Sequence, residues 1–348
     1  MHNLTRIKES RAPSQMRLAA SAVLVAAAIA TGIVAGQANS NPTGFAPPKL
    51  KHGDLRVTGT KAGERIALRL QAGEPGILQV DVNDDGSADF SFERTDIRII
   101  AVHARPGDDV VRIDESNGVF TDTIPTTILG GHGNDNLVGG SGAEMLSGGP
   151  GTDQIDGNRG NDVAFMGSGD DTFVWDPGDG SDVVEGEAGA DTMLFNGAAV
   201  AEQVDVSANG NRLRFFRNPG NITMDTAGVE RVDFNALAGA DIVTVNDLAG
   251  TDVSSLNVDL AGTLGGASGD GEADRVVVNG TDGDDTITVN GDAGGVKVSG
   301  LAATVAVLHS EAANDRLEIN TLAGVDTVDS GGLAAGAIQL FVDGVLVP

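Results

Sequence analysis

The chain of 348 residues contains no cysteine, no tyrosine and a single tryptophan. Without cysteine it can form neither a disulfide framework nor a thiolate metal site. Basic residues are also scarce, because 22 Lys and Arg stand against 50 Asp and Glu, which gives a net charge of −28. We therefore expect the protein to repel nucleic acid and anionic membrane surfaces and to attract cations.

Catalytic motifs are equally scarce. His52, His103, His132 and His309 are scattered, and none stands in a His-Glu-x-x-His pair or next to a nucleophile elbow. We expect these histidines on the surface or in turns. The sequence therefore predicts a protein that is not an enzyme of the triad or zinc type.

Residues 1–38 have the pattern of a secretory signal peptide. Basic residues precede an apolar run from Leu18 to Gly36, and a small-residue exit allows cleavage after Ala38. The alternative is an uncleaved anchor, because the run is about as long as a bilayer span requires. We predict cleavage, which leaves a secreted, extracellular chain with no membrane segment.

The composition and residue pattern of the rest of the chain divide it into four parts. The parts are a Pro-containing linker (39–48), an N-terminal β-rich domain (49–127), a segment with a nine-residue repeat (128–197) and a C-terminal β-rich domain (198–348). Short alternating runs bounded by Gly, Asp and Asn indicate strands, and no helical pattern of useful length occurs. Asn209-Gly210 between two such runs predicts a hairpin. The sequence therefore predicts an all-β protein.

A looser pattern recurs on both sides of the repeat. It is a small residue or Gly, any residue, Asp, any residue and then alternating apolar residues. It occurs as GDDVVRI from Gly107, GADIVTV from Gly239, GDDTITV from Gly283, ANDRLEI from Ala313 and GVDTV from Gly324. Recurring turn-then-strand units favour stacked coils of a β-helix or β-solenoid. The alternative is a β-sandwich with Asp-rich turns.

The repeat itself has the form Gly-Gly-x-Gly-x-Asp-x-apolar-x, and residues 130–138 and 148–156 fit it at every position. Seven units keep the phase, with one interruption of two residues, Trp175 and Asp176. Glycine permits the positive φ angles that let carbonyl groups converge, and an acidic residue adds a carboxylate to each turn. Oxygen ligands of this kind suit Ca²⁺. The acidic sixth positions are Asp135, Glu144, Asp153, Asp162, Asp171, Asp182 and Asp191.

The apolar eighth positions are expected to point inward. Between Gly130 and Asp191, 13 acidic residues stand against one basic residue, Arg159, a net charge of −12. One apolar side chain per nine residues does not offset the lost chain entropy. We therefore predict that this segment folds when Ca²⁺ binds. The eighth positions are Leu137, Leu146, Ile155, Ala164, Phe173, Val184 and Met193.

The repeat resembles the hemolysin-type, or RTX, calcium-binding nonapeptide of secreted bacterial proteins. The resemblance implies a parallel β-roll in which two units form one coil and each Ca²⁺ bridges the turns of units n and n+2. One edge would stack Asp135, Asp153 and Asp171, and the other Glu144 and Asp162. Two further residues would continue these edges if the two-residue interruption bulges out, namely Asp182 and Asp191.

These patterns predict an extracellular calcium-binding protein with a structural, surface or adhesive role. Its expected partners are calcium ions and a cell-surface or matrix polysaccharide. The alternative is a polysaccharide-active enzyme, a lyase or epimerase on a β-helix, to which RTX modules are sometimes attached. A long groove lined by Asp, Arg, Lys or His would favour the enzyme.

Two other stretches each allow two interpretations. Residues 81–89 resemble the first half of an EF-hand loop, but Phe92 occupies the position of the bidentate Glu. They predict a hairpin turn, with or without a bound Ca²⁺. Arg212, Arg214 and Arg217 form a basic spot on the predicted hairpin, which is either a solvated strand face or an anion site.

Overall fold

The computed structural model describes residues 44–348. The predicted signal peptide and most of the predicted linker lie outside the described residues. No helix between residues 44 and 348 is long and apolar enough to cross a membrane.

Residues 44–348 form 29 strands and one 3₁₀ helix, Arg94–Asp96. The strands before the repeat are β1 (Lys49–Lys51), β2 (Asp54–Thr58), β3 (Arg65–Gln71), β4 (Glu74–Val82), β5 (Phe90–Glu93), β6 (Ile99–Pro106) and β7 (Val110–Asp114). The strands of the repeat segment are β8 (Thr126–His132), β9 (Asn136–Val138), β10 (Met145–Pro150), β11 (Gln154–Asp156), β12 (Val163–Ser168), β13 (Thr172–Trp175), β14 (Val183–Ala188) and β15 (Thr192–Asn196).

The strands after the repeat are β16 (Gln203–Asn209), β17 (Arg212–Asn218), β18 (Ile222–Ala227), β19 (Arg231–Asn235), β20 (Ile242–Val245), β21 (Ser255–Asp259), β22 (Arg275–Asn279), β23 (Thr286–Asp292), β24 (Gly295–Ser299), β25 (Thr304–Leu308), β26 (Arg316–Asn320), β27 (Thr327–Leu333), β28 (Gln339–Val342) and β29 (Val345–Leu346).

The strands lie in two sheets, and successive strands of the repeat alternate between them. One sheet has 15 strands in the order β1-β2-β6-β8-β10-β12-β14-β18-β17-β16-β20-β22-β26-β28-β29. The other has 14 strands in the order β27-β23-β24-β25-β21-β19-β15-β13-β11-β9-β7-β3-β4-β5. The repeat strands pair in parallel, which is the arrangement of stacked coils. The prediction of an all-β solenoid with a parallel roll is therefore confirmed, and the sandwich alternative is wrong.

The period of the repeat sets the register between coils. Ile155 pairs with Leu137 on one side and with Phe173 on the other, each 18 residues away. After the two-residue interruption the spacing becomes 20, since Ala164 pairs with Val184. The two extra residues are absorbed where Trp175 lengthens its strand and a longer turn follows it. The register of both sheets is kept across the interruption.

The core lies between the two sheets and runs along the stack. The seven eighth-position side chains are all fully buried, as predicted from their spacing. They belong to a single hydrophobic cluster that extends from Phe45 to Leu340. At the interruption the core thickens, because the rings of Trp175 and Phe195 stack with centroids 4.0 Å apart.

Antiparallel hairpins widen the stack at several places. β16 and β17 form the predicted hairpin, although its two-residue loop is Gly210-Asn211 because Asn209 pairs with Arg212. Together with β18 they are inserted between β14 and β20 in the 15-stranded sheet. Both sheets continue across residues 128 and 197, so the coils of the repeat are covered on both sides by coils of the flanking segments.

Candidate metal centre

A hydrogen-bonded series of carboxylates runs along one edge of the stack. The main-chain N–H of each member donates to a carboxylate oxygen of the residue at the same position one coil further on. Asp109 donates to Asp135 (2.8 Å), Asp135 to Asp153 (2.7 Å), Asp153 to Asp171 (2.7 Å) and Asp171 to Asp191 (2.9 Å). We call the series from Asp109 to Asp191 the first ladder.

A second ladder runs along the other edge. The N–H of Glu144 donates to Oδ1 of Asp162 at 2.7 Å, and the N–H of Asp162 donates to Oδ1 of Asp182 at 2.8 Å. The structure therefore arranges the seven candidate residues in two series. Their order along each edge is the one that the resemblance to the RTX repeat implies. Asp182 and Asp191 continue the series at a spacing of 20 residues.

The second oxygen of each aspartate is left without a partner. Oδ2 of Asp135, Asp153, Asp162, Asp171, Asp182 and Asp191 is buried and accepts no hydrogen bond from any protein group. These side chains are at most 2% exposed. A buried carboxylate oxygen without a hydrogen bond is costly unless a cation or a proton neutralises it. The six aspartates therefore present a repeated set of anionic oxygens that fits a cation.

Glu144 differs from the aspartates. Its longer side chain turns back onto its own turn, where Oε2 accepts the N–H of Gly140 at 3.0 Å and Oε1 accepts the N–H of Gly142 at 3.1 Å. Both of its oxygens thus have donors. Glu144 lies in the second ladder, but it has no oxygen without a hydrogen bond. It is therefore a weaker candidate ligand for a cation than the aspartates are.

Burial raises the pKa of these carboxyl groups. The pKa of Asp162 rises to about 9, first because the group is buried and then because Asp182 and Glu144 are close. Burial likewise raises the pKa of Asp135, Asp182 and Asp191 to about 7, and that of Asp153 to about 6. Without a counter-ion these sites bind protons near neutral pH. A divalent cation would supply the missing positive charge.

Side chains alone do not complete a metal site. Across residues 44–348 no three His, Asp or Glu side chains converge on one point. Main-chain carbonyl groups are suitable further ligands for Ca²⁺, and the glycine turns expose them. A Cβ on Gly148 would overlap Oδ2 of Asp153 and would lie 2.6 Å from the carbonyl oxygen of Met166, which belongs to the next coil. Glycine keeps open a space that is bounded by oxygens of two turns.

The same segment matches a known repeat family. The model described as RTX calcium-binding nonapeptide repeat matches in four copies, over residues 127–143, 138–173 and 178–197. Residues 127–197 therefore form a parallel β-roll of RTX-type repeats. RTX nonapeptide repeats bind Ca²⁺, which agrees with the oxygen-only donor set. A search among curated proteins finds no match to the chain.

The ladders continue beyond the RTX β-roll. Asp109 precedes it, and Oδ2 of Asp109 is also buried without a partner. After it, a third series links Glu202 to Asp241 (2.7 Å), Asp241 to Asp274 (2.8 Å) and Asp274 to Asp315 (3.0 Å). The looser sequence pattern contains Asp109, Asp241 and Asp315, so the sequence offered a signal for these three positions. Asp274 lies outside the pattern, and no signal in the sequence marked it.

An arginine occupies the coil that follows the RTX β-roll. Nε of Arg217 donates to Oε1 of Glu202 at 2.7 Å, and the guanidinium lies 5.1 Å from the centre of the Trp175 ring. The Arg217 and Glu202 side chains are 7% and 0% exposed. Alternate residues of β17 point inward, and Arg217 is one of them, together with Leu213 and Phe215. Arg217 therefore does not lie on a solvated strand face. Arg212 pairs with Asp225 and Glu185, and Arg214 pairs with Asp205.

The loop that resembles an EF-hand forms the turn of the β4–β5 hairpin. Its first carboxylate, Asp81, is fully buried and pairs with Arg69 at 2.7 Å while accepting the N–H of Gly86 at 2.9 Å. Asp84 pairs with Arg112 at 2.7 Å. Arg69 thus neutralises the first carboxylate that a Ca²⁺ ion would require, which favours the plain hairpin turn.

Proposed function

We propose that Ca²⁺ ions bind between successive turns of the RTX β-roll. The ligands are Oδ2 oxygens of the ladder aspartates together with main-chain carbonyl oxygens of the glycine turns. The observation that carries this proposal is the buried Oδ2 without a partner, repeated in register on six aspartates. The proposed residues are Asp135, Glu144, Asp153, Asp162, Asp171, Asp182 and Asp191.

In this proposal the two carboxylate oxygens of each aspartate make different interactions. Oδ1 accepts the N–H of the preceding coil and fixes the spacing between coils. Oδ2 contributes negative charge to the cation that lies between two turns. Asp109 has the same arrangement, so we add it as a ligand at the N-terminal end of the first ladder. Bound Ca²⁺ supplies the positive charge that holds these turns together.

We further propose that the protein works outside the cell, in a structural, surface or adhesive role. Calcium sites of extracellular modules saturate at about 10⁻⁴–10⁻³ M, a concentration found outside cells. A roll that needs such calcium to fold stays open until after export. This agrees with the predicted signal peptide at residues 1–38. The flanking parts, 49–127 and 198–348, are proposed to form the coils on which the roll (128–197) is mounted, with a surface polysaccharide as partner.

Calcium titration of the full-length protein tests the binding proposal. Isothermal titration of protein freed of calcium should give saturable binding of more than one Ca²⁺, with cooperativity, because neighbouring sites share turns. Mg²⁺ should not replace it, because Mg²⁺ requires a tighter octahedron and retains its waters. No saturable binding of Ca²⁺ at millimolar concentration would refute the proposal.

A further inference from the structure

A cleft lined by basic side chains lies on the 15-stranded sheet, in the coil that precedes the RTX β-roll. It has a volume of about 550 Å³, and its lining contains no carboxylate. In a chain with a net charge of −28 such a concentration of positive charge is unexpected. Its basic lining residues are Lys49, Arg56, Lys61, His103 and Arg105.

The strand register places these side chains side by side. Lys49 of β1 pairs with Arg56 of β2, and Thr58 of β2 pairs with His103 of β6. Arg105 follows two positions after His103 on the same face. Arg56 and Arg105 are close enough to His103 to lower its pKa, in addition to the larger effect of burial. The cluster therefore carries repulsion between like charges that a bound anion would relieve.

The basic side chains of the cleft form no ion pair in the described part of the chain. The ion pairs found within residues 44–348 involve eight other arginines and one other histidine. Lys49, Arg56, Lys61 and Arg105 form none of them. The chain before residue 44 contains a single acidic residue, Glu9, so it has little negative charge to offer the cleft.

Arg105 also stands where the fold prefers glycine. Its φ is +83°, and its partner in the next coil is Gly131, with a φ of +130°. A residue with a Cβ is strained in this conformation, and residues with such strain are concentrated at functional sites. Glycine at this position would suit the backbone better. The positive φ of Arg105 is an observation independent of the charge of the cleft.

We propose that this cleft binds a multiply charged oxyanion group, a sulfate or a phosphate, either as a free ion or as an ester on a saccharide. Guanidinium groups bind such oxygens through paired hydrogen bonds, and the lysines add charge. The lining has no aromatic side chain on which a sugar ring could stack. Recognition therefore rests on the charged group. Arg105 lies at the end of β6, beside the turn that contains Asp109, but no basic side chain of the cleft is a proposed calcium ligand, so either proposal can fail without the other.

The test is titration of the full-length, calcium-loaded protein with sodium sulfate at low ionic strength, since phosphate would precipitate calcium. We expect saturable binding at one site. Arg105→Gly should weaken it by about tenfold, as expected for loss of one charged hydrogen-bonding group. Its denaturation midpoint should stay the same or rise, because glycine suits a φ of +83°. If Arg105 had only a structural role, its loss would not weaken sulfate binding while leaving the denaturation midpoint unchanged or higher.

Two further variants keep the test decisive. Arg56→Gln, on the outer face of β2, should also weaken sulfate binding by about tenfold. If Arg105→Gly proves unstable, this variant shows whether the cleft binds sulfate. Arg231→Gln, an exposed arginine on the other sheet, should bind sulfate within about twofold of the unmodified protein. Absence of saturable sulfate binding, or unchanged binding by both cleft variants, would overturn the proposal.

A disaccharide with and without a sulfate ester distinguishes the two sources of the group. Tighter binding of the sulfated sugar than of free sulfate supports an ester, and equal binding supports the free ion. Equal binding of the sulfated and unsulfated sugars would contradict recognition of the charge.

Discussion

The main-chain N–H of Asp135 donates to Oδ1 of Asp153 at 2.7 Å, while Oδ2 of Asp153 is buried without a partner. One carboxylate thus both spaces two coils and offers an anionic oxygen to the gap between them. Because these two properties belong to different atoms, substitutions can separate them.

Asp153→Asn and Asp153→Ala should differ in stability but not in calcium binding. Both remove the charge of Oδ2, so both should weaken Ca²⁺ binding by at least about tenfold. Only alanine also leaves the buried N–H of Asp135 without an acceptor, so it should be less stable than asparagine by about 1–3 kcal/mol at equal calcium saturation. Calorimetric titration and urea denaturation measure the two effects.

The matched control is Asp170→Asn, because Asp170 is an exposed aspartate in the turn of the next coil whose Oδ1 accepts the N–H of Ala190 at 2.9 Å. It should bind Ca²⁺ nearly as the unmodified protein does. If the Asp153→Asn protein also does so, Oδ2 of Asp153 is not a ligand.

Gly169→Ala should destabilise the protein more than Gly178→Ala. Both glycines have a positive φ, +127° and +121°, so both substitutions strain the backbone similarly. A Cβ on Gly169 would overlap the carbonyl oxygen of Gly151 in the neighbouring coil, whereas a Cβ on Gly178 would meet no atom within 4 Å. We expect an additional loss of about 1–3 kcal/mol for Gly169→Ala from overpacking. Equal denaturation midpoints for the two variants would show that the coils do not stack as closely as described.

Arg217→Met should be strongly destabilising. It leaves the carboxylate of Glu202 buried without its partner, which typically costs about 3–5 kcal/mol. The double variant Arg217→Met/Glu202→Gln should recover most of that loss, because no charge remains buried. Arg231→Met, which breaks the more exposed pair with Asp233, should cost less than about 1 kcal/mol. A double variant as unstable as the single one would mean that the arginine acts through packing and not through charge.

Protons should partly replace calcium in the roll. Burial raises the pKa of Asp162 from 3.8 to about 9 and that of Asp182 to about 7. A carboxyl group whose pKa is raised in the folded state stabilises the fold fully below its ordinary pKa, and this stability is lost as the pH rises through the folded value. The calcium-free roll should therefore be less stable at pH 8 than at pH 5. Calcium affinity should change in the opposite direction, because the ligands must lose their protons. Circular dichroism of calcium-free protein at several pH values measures the first effect, and constant or rising stability with pH would contradict it.

The period of the sequence and the resemblance that it carries were sufficient to predict the roll in detail. Nine-residue spacing predicted the inward side chains from Leu137 to Met193, and the resemblance to the RTX repeat implied the coil of two units and the two edges of acidic residues. The spacing was informative because every unit must satisfy the same stacking geometry. The period did not identify the ends of the series. The nine-residue units begin at Gly130, but Asp109 continues the edge of Asp135, because its main-chain N–H donates to Oδ1 of Asp135.

Contacts between distant segments could not be predicted from the period. Arg217 appeared to belong to a basic spot with its neighbours, and only the pairing of β16 with β17 brings it against Glu202. Local composition does not reveal which carboxylate an arginine will meet. The basic cleft is similar, because its residues come from β1, β2, β6 and the turn after β2, and only the sheet order assembles them.

Amide hydrogen exchange of the full-length protein, read by mass spectrometry segment by segment, tests the central claim most directly. Exchange reports the local free energy of opening along the chain. Without calcium, amides of residues 130–194 should exchange rapidly, while those of the more apolar coils in 204–308 stay protected. Added Ca²⁺ should protect residues 130–194, and added Mg²⁺ should not. Strong protection of residues 130–194 in calcium-free protein at neutral pH, or equal protection with Mg²⁺, would contradict the account.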